Sequence, residues 1–289
     1  MDKNILSAIE STDIKFSKGQ KRIAKYIVEN YDKAAFMTAS KLGATVGVSE
    51  STVVRFASDL GYDGYPSMRK ALQEMIRNRL TSVQRIEVAK DIIGTQDILG
   101  SVLAADIDKI RTTMEDVDND AFNAAVDAIM GAKHIYILGA RASVALSMFM
   151  GFYLGLIFEN VQTVNSVSMS EVFEQIMRVG KGDVVIGISF PRYSHRTVKA
   201  MEFARDMGAT VIGITDGQLS PLAKIADVNL FARSDMVSFV DSLVAPLSLI
   251  NALIVAAGNR KNEELSATFE RLERIWSEYE VYESVDDED

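Results

Sequence analysis

The chain has 289 residues, 48% hydrophobic and 25% charged, an ordinary globular mix and long enough for two domains. It has no cysteine and two histidines, His134 and His195, far apart in sequence. That excludes disulfides and thiolate metal sites and argues against zinc, so no metal and no cofactor is expected. Of 31 basic and 40 acidic residues, positions 1–90 hold 15 and 10, leaving 16 and 30 to the rest; the formal charge of −9 conceals a basic front and an acidic remainder.

The opening MDKNILSAIESTDIKF lacks the basic-then-apolar pattern of a signal segment, and a cytoplasmic protein is expected. Residues 1–80 read as short helices. Ser17 is placed to cap a helix through KGQKRIAKYIVENY, with Ile23, Tyr26, Ile27 and Tyr31 on one face. TASKLGATV then supplies a helix, Gly47 a tight turn, and Ser49 the cap of a second helix. Val46, Val48, Val53 and Phe56 have the spacing to lock the two together. Glu50, Ser51, Thr52 and Arg55 are left outward near the second helix's start, beside the capping Ser49. Serine and threonine hydroxyls donate to phosphates, and Arg55 reaches a guanine edge or a phosphate. Lys15, Lys18, Lys21, Arg22 and Lys25, with the segment SMRKALQEMIRNR, add general phosphate attraction. The competing reading is a plain helical hairpin with a solvated face.

From about Thr81 to Thr95 the chain is polar and weakly periodic. The expected boundaries are a helix-turn-helix domain over 1–80, a linker over 81–98, an α/β domain over 99–283 and an acidic tail over 284–289. Leu103, Ile107, Ile110, Met114 and Val117 repeat at helical spacing. Asp118 or Asp120 caps the next helix, with Phe122, Val126 and Ile129 inward. Then five β-branched apolar runs alternate with helical segments: HIYILG (134–139), VQTVN (161–165), DVVIGIS (183–189), ATVIGITD (209–216) and ADVNLFA (226–232). Alternation implies a doubly wound parallel five-stranded sheet covered on both faces, with ligands at the carboxyl ends of the strands. Two long uncharged segments, Ala142–Phe158 and Ser242–Asn259, contain serine, glycine, proline or asparagine; they suit helices in a core or subunit interface better than a membrane span.

Two strand ends carry anion-binding chemistry. In ILGARAS, Gly139 allows a close turn, the following helix offers free N–H groups, and Ser143 adds a hydroxyl. In GISFPRYSHRT, Ser189, Ser194 and Thr197 offer hydroxyls, and Arg192, His195 and Arg196 positive charge. An unliganded tight turn and a basic solvated loop are the competing readings. SFVDSL (238–243), with Ser238, Asp241 and Ser242, either lines the pocket or caps the helix that follows.

VGVSESTVVRFASDLGYDGYPSMRKAL resembles the N-terminal domain of RpiR-type bacterial transcriptional regulators. The family's core appears as Val48, Ser49, Thr52, Val53, Arg55 and Phe56, followed by Leu60, Gly61, Tyr62, Gly64 and Tyr65. Gly43 departs from the usual alanine and should soften the first helix by about 1 kcal/mol. The second half resembles the sugar isomerase (SIS) domain that these regulators carry. Its Gly-x-Gly-x-Ser pattern appears as Gly139 to Ser143 with Arg141 in place of the second glycine. Its Ser-x-Ser-Gly-x-Thr/Ser pattern appears as Ser189 to Ser194, with Pro191 replacing a serine and Arg192 a glycine. The resemblance assigns phosphate binding to Ser143, Ser189 and Ser194 and not to 191 or 192, where the arginine offers a bidentate contact instead. A phosphosugar and a carboxylate-bearing sugar both stay open as ligands.

The resemblance implies a regulator of carbohydrate metabolism, not an enzyme. It would bind double-stranded operator DNA as a homodimer or homotetramer under a sugar-phosphate-like effector, with no membrane partner. One alternative is a phosphosugar isomerase with a helical appendage, using Glu171 or His195 as base. Another is a DNA-binding protein whose α/β domain only oligomerises.

Overall fold

In the computed structural model, the described residues are 16–76, 97–234 and 240–282, with Ile5, Ile9, Val83 and Ile86. The expected linker falls mostly outside them, and the expected tail entirely. The chain divides into two compact units, Met1–Ala105 with Met236–Asp241, and Asp106–Asp235 with Ser242–Asp289.

The first unit is helical. Helix α1 (Lys18–Glu29) starts with a capping box: the Gln20 N–H donates to Ser17 Oγ (3.3 Å), and the Ser17 N–H to Gln20 Oε1 (2.9 Å). It stops at Asn30, whose φ of −138° is not helical, so Tyr31 opens a separate short helix, α2 (Tyr31–Ala34), rather than extending the face of Ile23 and Ile27. Helices α3 (Ala39–Val46), α4 (Glu50–Asp59) and α5 (Gly64–Ile76) follow. Ile23, Ile27, Leu42, Val53, Phe56, Met68 and Leu72 are fully buried together, with Ile5 and Ile9 against them. The Tyr65 hydroxyl, itself buried, donates to the Met37 carbonyl (2.9 Å) and ties α5 to the segment before α3.

Helix α6 (Ile98–Asp116) precedes α7 (Asn119–Met130), which Asp118 caps through the N–H groups of Asp120 and Ala121. Val126 and Ile129 are buried as expected, with Phe122 partly buried on the same core. The apolar repeat on α6 turns the other way. Leu103 (53%), Ile107 (57%) and Met114 (68%) are exposed, whereas Lys109 and Thr113 are buried. Polar contacts hold that face: Thr113 Oγ1 accepts the Arg233 N–H (2.9 Å), and Asp106 takes both Lys109 (3.2 Å) and the Ser242 hydroxyl (2.8 Å).

Five parallel strands follow: β1 (Ile135–Gly139), β2 (Val161–Val164), β3 (Val184–Ile188), β4 (Thr210–Thr215) and β5 (Val228–Phe231), in the order β2-β1-β3-β4-β5. Helices α8 (Ser143–Ile157), α9 (Met169–Ile176), α10 (His195–Asp206), α11 (Val244–Arg260) and α12 (Asn262–Glu278) accompany them. Alternate side chains go to opposite faces, as strand geometry requires. Ile135 and Ile137 join α7, α8 and α11, whereas Tyr136 and Leu138 join α9 and α10. The two uncharged segments are α8 and α11, and among the described residues no helix is long and apolar enough to cross a membrane.

Candidate nucleic-acid interface and anion site

The turn of the first unit is built as its chemistry demands. Gly47 takes φ 69°, a left-handed conformation open to glycine, and ends α3. The Val48 N–H donates to the Gly43 carbonyl (2.8 Å), and the Arg22 guanidinium to the Gly47 carbonyl (2.8 Å). Ser49 caps α4, its oxygen accepting the Thr52 N–H (3.3 Å) and lying within 2.9 Å of Ser51 Oγ and 2.8 Å of Thr52 Oγ1. Glu50, Ser51 and Arg55 are exposed and Thr52 is half-buried, while Val53 and Phe56 face the core. Thus Ser49, Glu50, Ser51, Thr52 and Arg55 all lie within the cap and first two turns of α4. Helix α1 braces it through a bond from Gln20 to Asp59 and through Gly19, where a Cβ would stand 3.3 Å from Val48. Lys18, Lys21 and Lys25 are exposed on α1; Lys15, Arg77 and Arg79 lie outside the described residues.

The glycine at 43 has a different reason from the expected softening. A Cβ there would meet the Val48 carbonyl oxygen at 2.8 Å, so alanine would require the turn backbone to shift.

In the second unit the two serine-bearing turns are neighbours, because Gly139 pairs with Ile188 in the sheet. A Cβ on Gly139 would stand 2.3 Å from the Ser143 carbonyl, so glycine lets strand and helix meet. Ser143 opens α8 with 6% exposure, and its hydroxyl has no partner among the described residues. Ser189 is buried; its oxygen accepts the Ser194 N–H (3.1 Å). Ser194 caps α10, accepting the Thr197 N–H (3.4 Å). In both bonds the hydroxyl is the acceptor, which leaves its own proton to donate.

Arg141 and Arg192 carry positive φ, 56° and 67°, where the sequence pattern has glycine. Each conformation costs on the order of 1–3 kcal/mol for a residue with a Cβ. Both side chains are exposed. The same edge holds contacts that periodicity and motif do not reveal. The Tyr193 hydroxyl donates to Asp216 (2.7 Å), which directly follows β4 and also accepts from Thr215 (3.2 Å). Arg196 donates to the Ser166 carbonyl (3.0 Å) in the loop after β2. A carboxylate directly after ATVIGIT was the only hint in the sequence.

Glu171 accepts from Ser166 (2.5 Å) and His195 opens α10, and no contact joins these two. Ser242 does not cap α11, whose first turn follows Leu243 without a side-chain cap; it bonds Asp106 instead. Ser238 lies outside the described residues. Two cavities, of about 820 and 460 Å³, lie along α12 and beside the start of β1, away from both turns. Among the described residues no group of three or more potential metal ligands occurs.

A helix-turn-helix unit joined to a parallel α/β unit defines a ligand-responsive class of DNA-binding protein. Residues 3–79 match the family model for the helix-turn-helix domain, rpiR family, and residues 128–256 match the SIS domain. The chain belongs to the RpiR-type transcriptional regulators. It is similar to the HTH-type transcriptional regulator HexR of Pseudomonas aeruginosa, 25% identical over 276 residues that cover 93% of this chain and 94% of the relative. The sugar isomerase domain of an RpiR transcription factor from Sphaerobacter thermophilus superimposes with a TM-score of 0.59 at 27% identity, covering 62% of this chain and 99% of that one. The Vibrio vulnificus NanR protein, complexed with ManNAc-6P, superimposes with a TM-score of 0.58 at 23% identity over 94% of this chain and 97% of that one, a likeness of fold.

Proposed function

We propose that this regulator binds operator DNA through the exposed start of α4, with Ser49, Glu50, Ser51, Thr52 and Arg55 on the reading side. A phosphorylated sugar held at Gly139, Ser143, Ser189, Arg192 and Ser194 controls that binding. The observation that carries the effector is the free donor capacity of Ser143, Ser189 and Ser194 on adjacent strand ends. Three O–H donors beside the N-termini of α8 and α10 suit a phosphate. The NanR relative, solved with ManNAc-6P, supports the same ligand class.

The protein acts in the cytoplasm as a homodimer or homotetramer. The outward stripe of Leu103, Ile107 and Met114 supports an oligomer, since exposed apolar rows of this kind mark interaction surfaces. The site senses its ligand and does not turn it over, a reading supported by relatives that are named transcriptional regulators. The proposed extents are those expected above, 1–80, 81–98, 99–283 and 284–289. By linkage, ligand and DNA alter each other's affinity by one factor.

The test begins with operator DNA selected from a random pool on the full chain. Hexose, pentose and amino-sugar phosphates, each beside its unphosphorylated parent, are then screened by thermal shift and by DNA-binding anisotropy. A ligand at 100 times its Kd stabilises by about 2.7 kcal/mol. Phosphorylated compounds alone should raise the melting temperature and shift DNA affinity. A panel that moves neither quantity overturns the effector assignment.

A further inference from the structure

We propose that helix α6 pairs antiparallel with α6 of a second copy of this chain, about a two-fold axis beside Asp108; this rests on the homo-oligomer reading above. A helix on a protein surface ordinarily turns its apolar stripe inward. Helix α6 does the reverse: Lys109 and Thr113 are buried, while Leu99, Leu103, Ile107, Ile110 and Met114 are exposed. The inward face is held by specific bonds. Thr113 accepts the Arg233 N–H, and Asp106 takes Lys109 and the Ser242 hydroxyl. Rolling α6 over to cover the stripe would break all three, so the apolar face stays outside.

The spacing of that face names its partner. Leu103, Ile107, Ile110 and Met114 are separated by 4, 3 and 4 residues, the alternation of a seam that packs against another helix. The seam is complementary to itself. Set antiparallel, Ile107 faces Ile110 of the partner subunit, and Leu103 faces Met114 of the partner subunit. Both pairs share one centre, between Asp108 and Lys109. A single two-fold axis there makes every contact twice, as a closed isologous interface requires. Helix α6 also lies between the stretches that the family models match, 3–79 and 128–256, so the seam belongs to neither matched domain.

Charge selects the antiparallel arrangement. Asp108 and Arg111 are exposed on one flank of the seam, and among the described residues neither has an ion-pair partner. In the antiparallel register each Arg111 lies within about one helical turn of Asp108 of the partner subunit, on the same flank. A parallel pair would instead bring Arg111 to the other flank, beside Asp106 of the partner subunit. That carboxylate already holds Lys109 and Ser242 on the inner side.

The chain has no cysteine, so introduced ones report without background. In the full chain, the L103C/M114C double variant should oxidise to a covalent dimer. L103C alone and M114C alone should not, because like positions lie roughly 16 Å apart along antiparallel helices, too far for a disulfide. I107E should halve the mass seen in sedimentation equilibrium, its dissociation constant raised at least about 100-fold by a charge in the seam. Ile107 is exposed in the single chain, so far-UV circular dichroism should stay at the parental level. If I107E loses that signal, the cysteine variants decide alone. No cross-link in the double variant, or a cross-link in either single variant, overturns the antiparallel pairing. So does a folded I107E protein of parental mass. In each case an assembled parent keeps the homo-oligomer reading, and only the α6 seam falls. A parent chain of monomer mass at every concentration up to about 100 μM overturns both.

Discussion

A methyl group on Gly43 would stand 2.8 Å from the carbonyl oxygen of Val48. Gly43 also accepts the Val48 N–H at 2.8 Å, so the two backbones are already in contact. Two effects oppose each other in Gly43→Ala. Alanine stabilises a helix interior by about 1 kcal/mol over glycine. Forcing a methyl against backbone costs about 1–3 kcal/mol. The clash wins, because the obstacle is main chain and cannot rotate away. Denaturant unfolding of the full chain should show a net loss of about 1 kcal/mol in the N-terminal transition. A more stable variant would show that the turn relaxes freely and that glycine here is incidental.

Arg55 is exposed on α4 while Val53 and Phe56 beside it are buried, so its removal should leave folding intact. Arg55→Ala should cost about 1–3 kcal/mol of discrimination between selected operator and random DNA. Lys21→Ala should instead weaken both DNAs alike and reduce the salt slope by about 1. If Arg55→Ala also weakens both equally, the side chain contacts phosphate and specificity lies with Ser51, Thr52 or Glu50.

Burial pushes the Tyr65 hydroxyl up to about 12, against a partial pull down from Arg69. The ordinary value is 10.0, so the unfolded chain ionises first. Stability from this group is complete below pH 10 and falls as pH rises from there to about 12. Tyr62 is raised by burial too and adds to the same slope. Tyr65→Phe should flatten that slope, and at neutral pH should cost about 1 kcal/mol through the lost bond to Met37. Urea midpoints at pH 7, 9, 10 and 11 decide it; an unchanged slope in the variant would place the alkaline loss elsewhere.

Local chemistry was legible in the sequence. Gly47 and Ser49 act on their nearest neighbours, so turn and cap follow from residue type. The five β-branched runs became five strands for the same reason. What depends on residues far apart was hidden. Tyr193 and Asp216 meet across two strands, and no spacing rule joins them. On α6 the apolar period was real, but a period does not say which way its face turns; Lys109 and Thr113 won the inside through Asp106, Ser242 and Arg233. Arg141 and Arg192 stood out as departures from a glycine pattern, while their left-handed backbones appear only in coordinates.

Ser143 and Ser189 differ in one respect that separates ligand binding from stability. Ser189 accepts the Ser194 N–H, whereas Ser143 has no partner among the described residues. Ser189→Ala strips that N–H of its acceptor and should destabilise the α/β unit by about 1–3 kcal/mol, besides removing a donor to the ligand. Ser143→Ala removes only a donor, so its melting temperature should match the parent while the response to phosphosugar weakens. Both variants go through the same thermal-shift series, with and without ligand. Matching losses of stability would mean that Ser143 has a structural bond after all. A Ser143→Ala protein with parental stability and an undiminished response would remove the β1 turn from the site and leave the β3 turn to bind the phosphate alone.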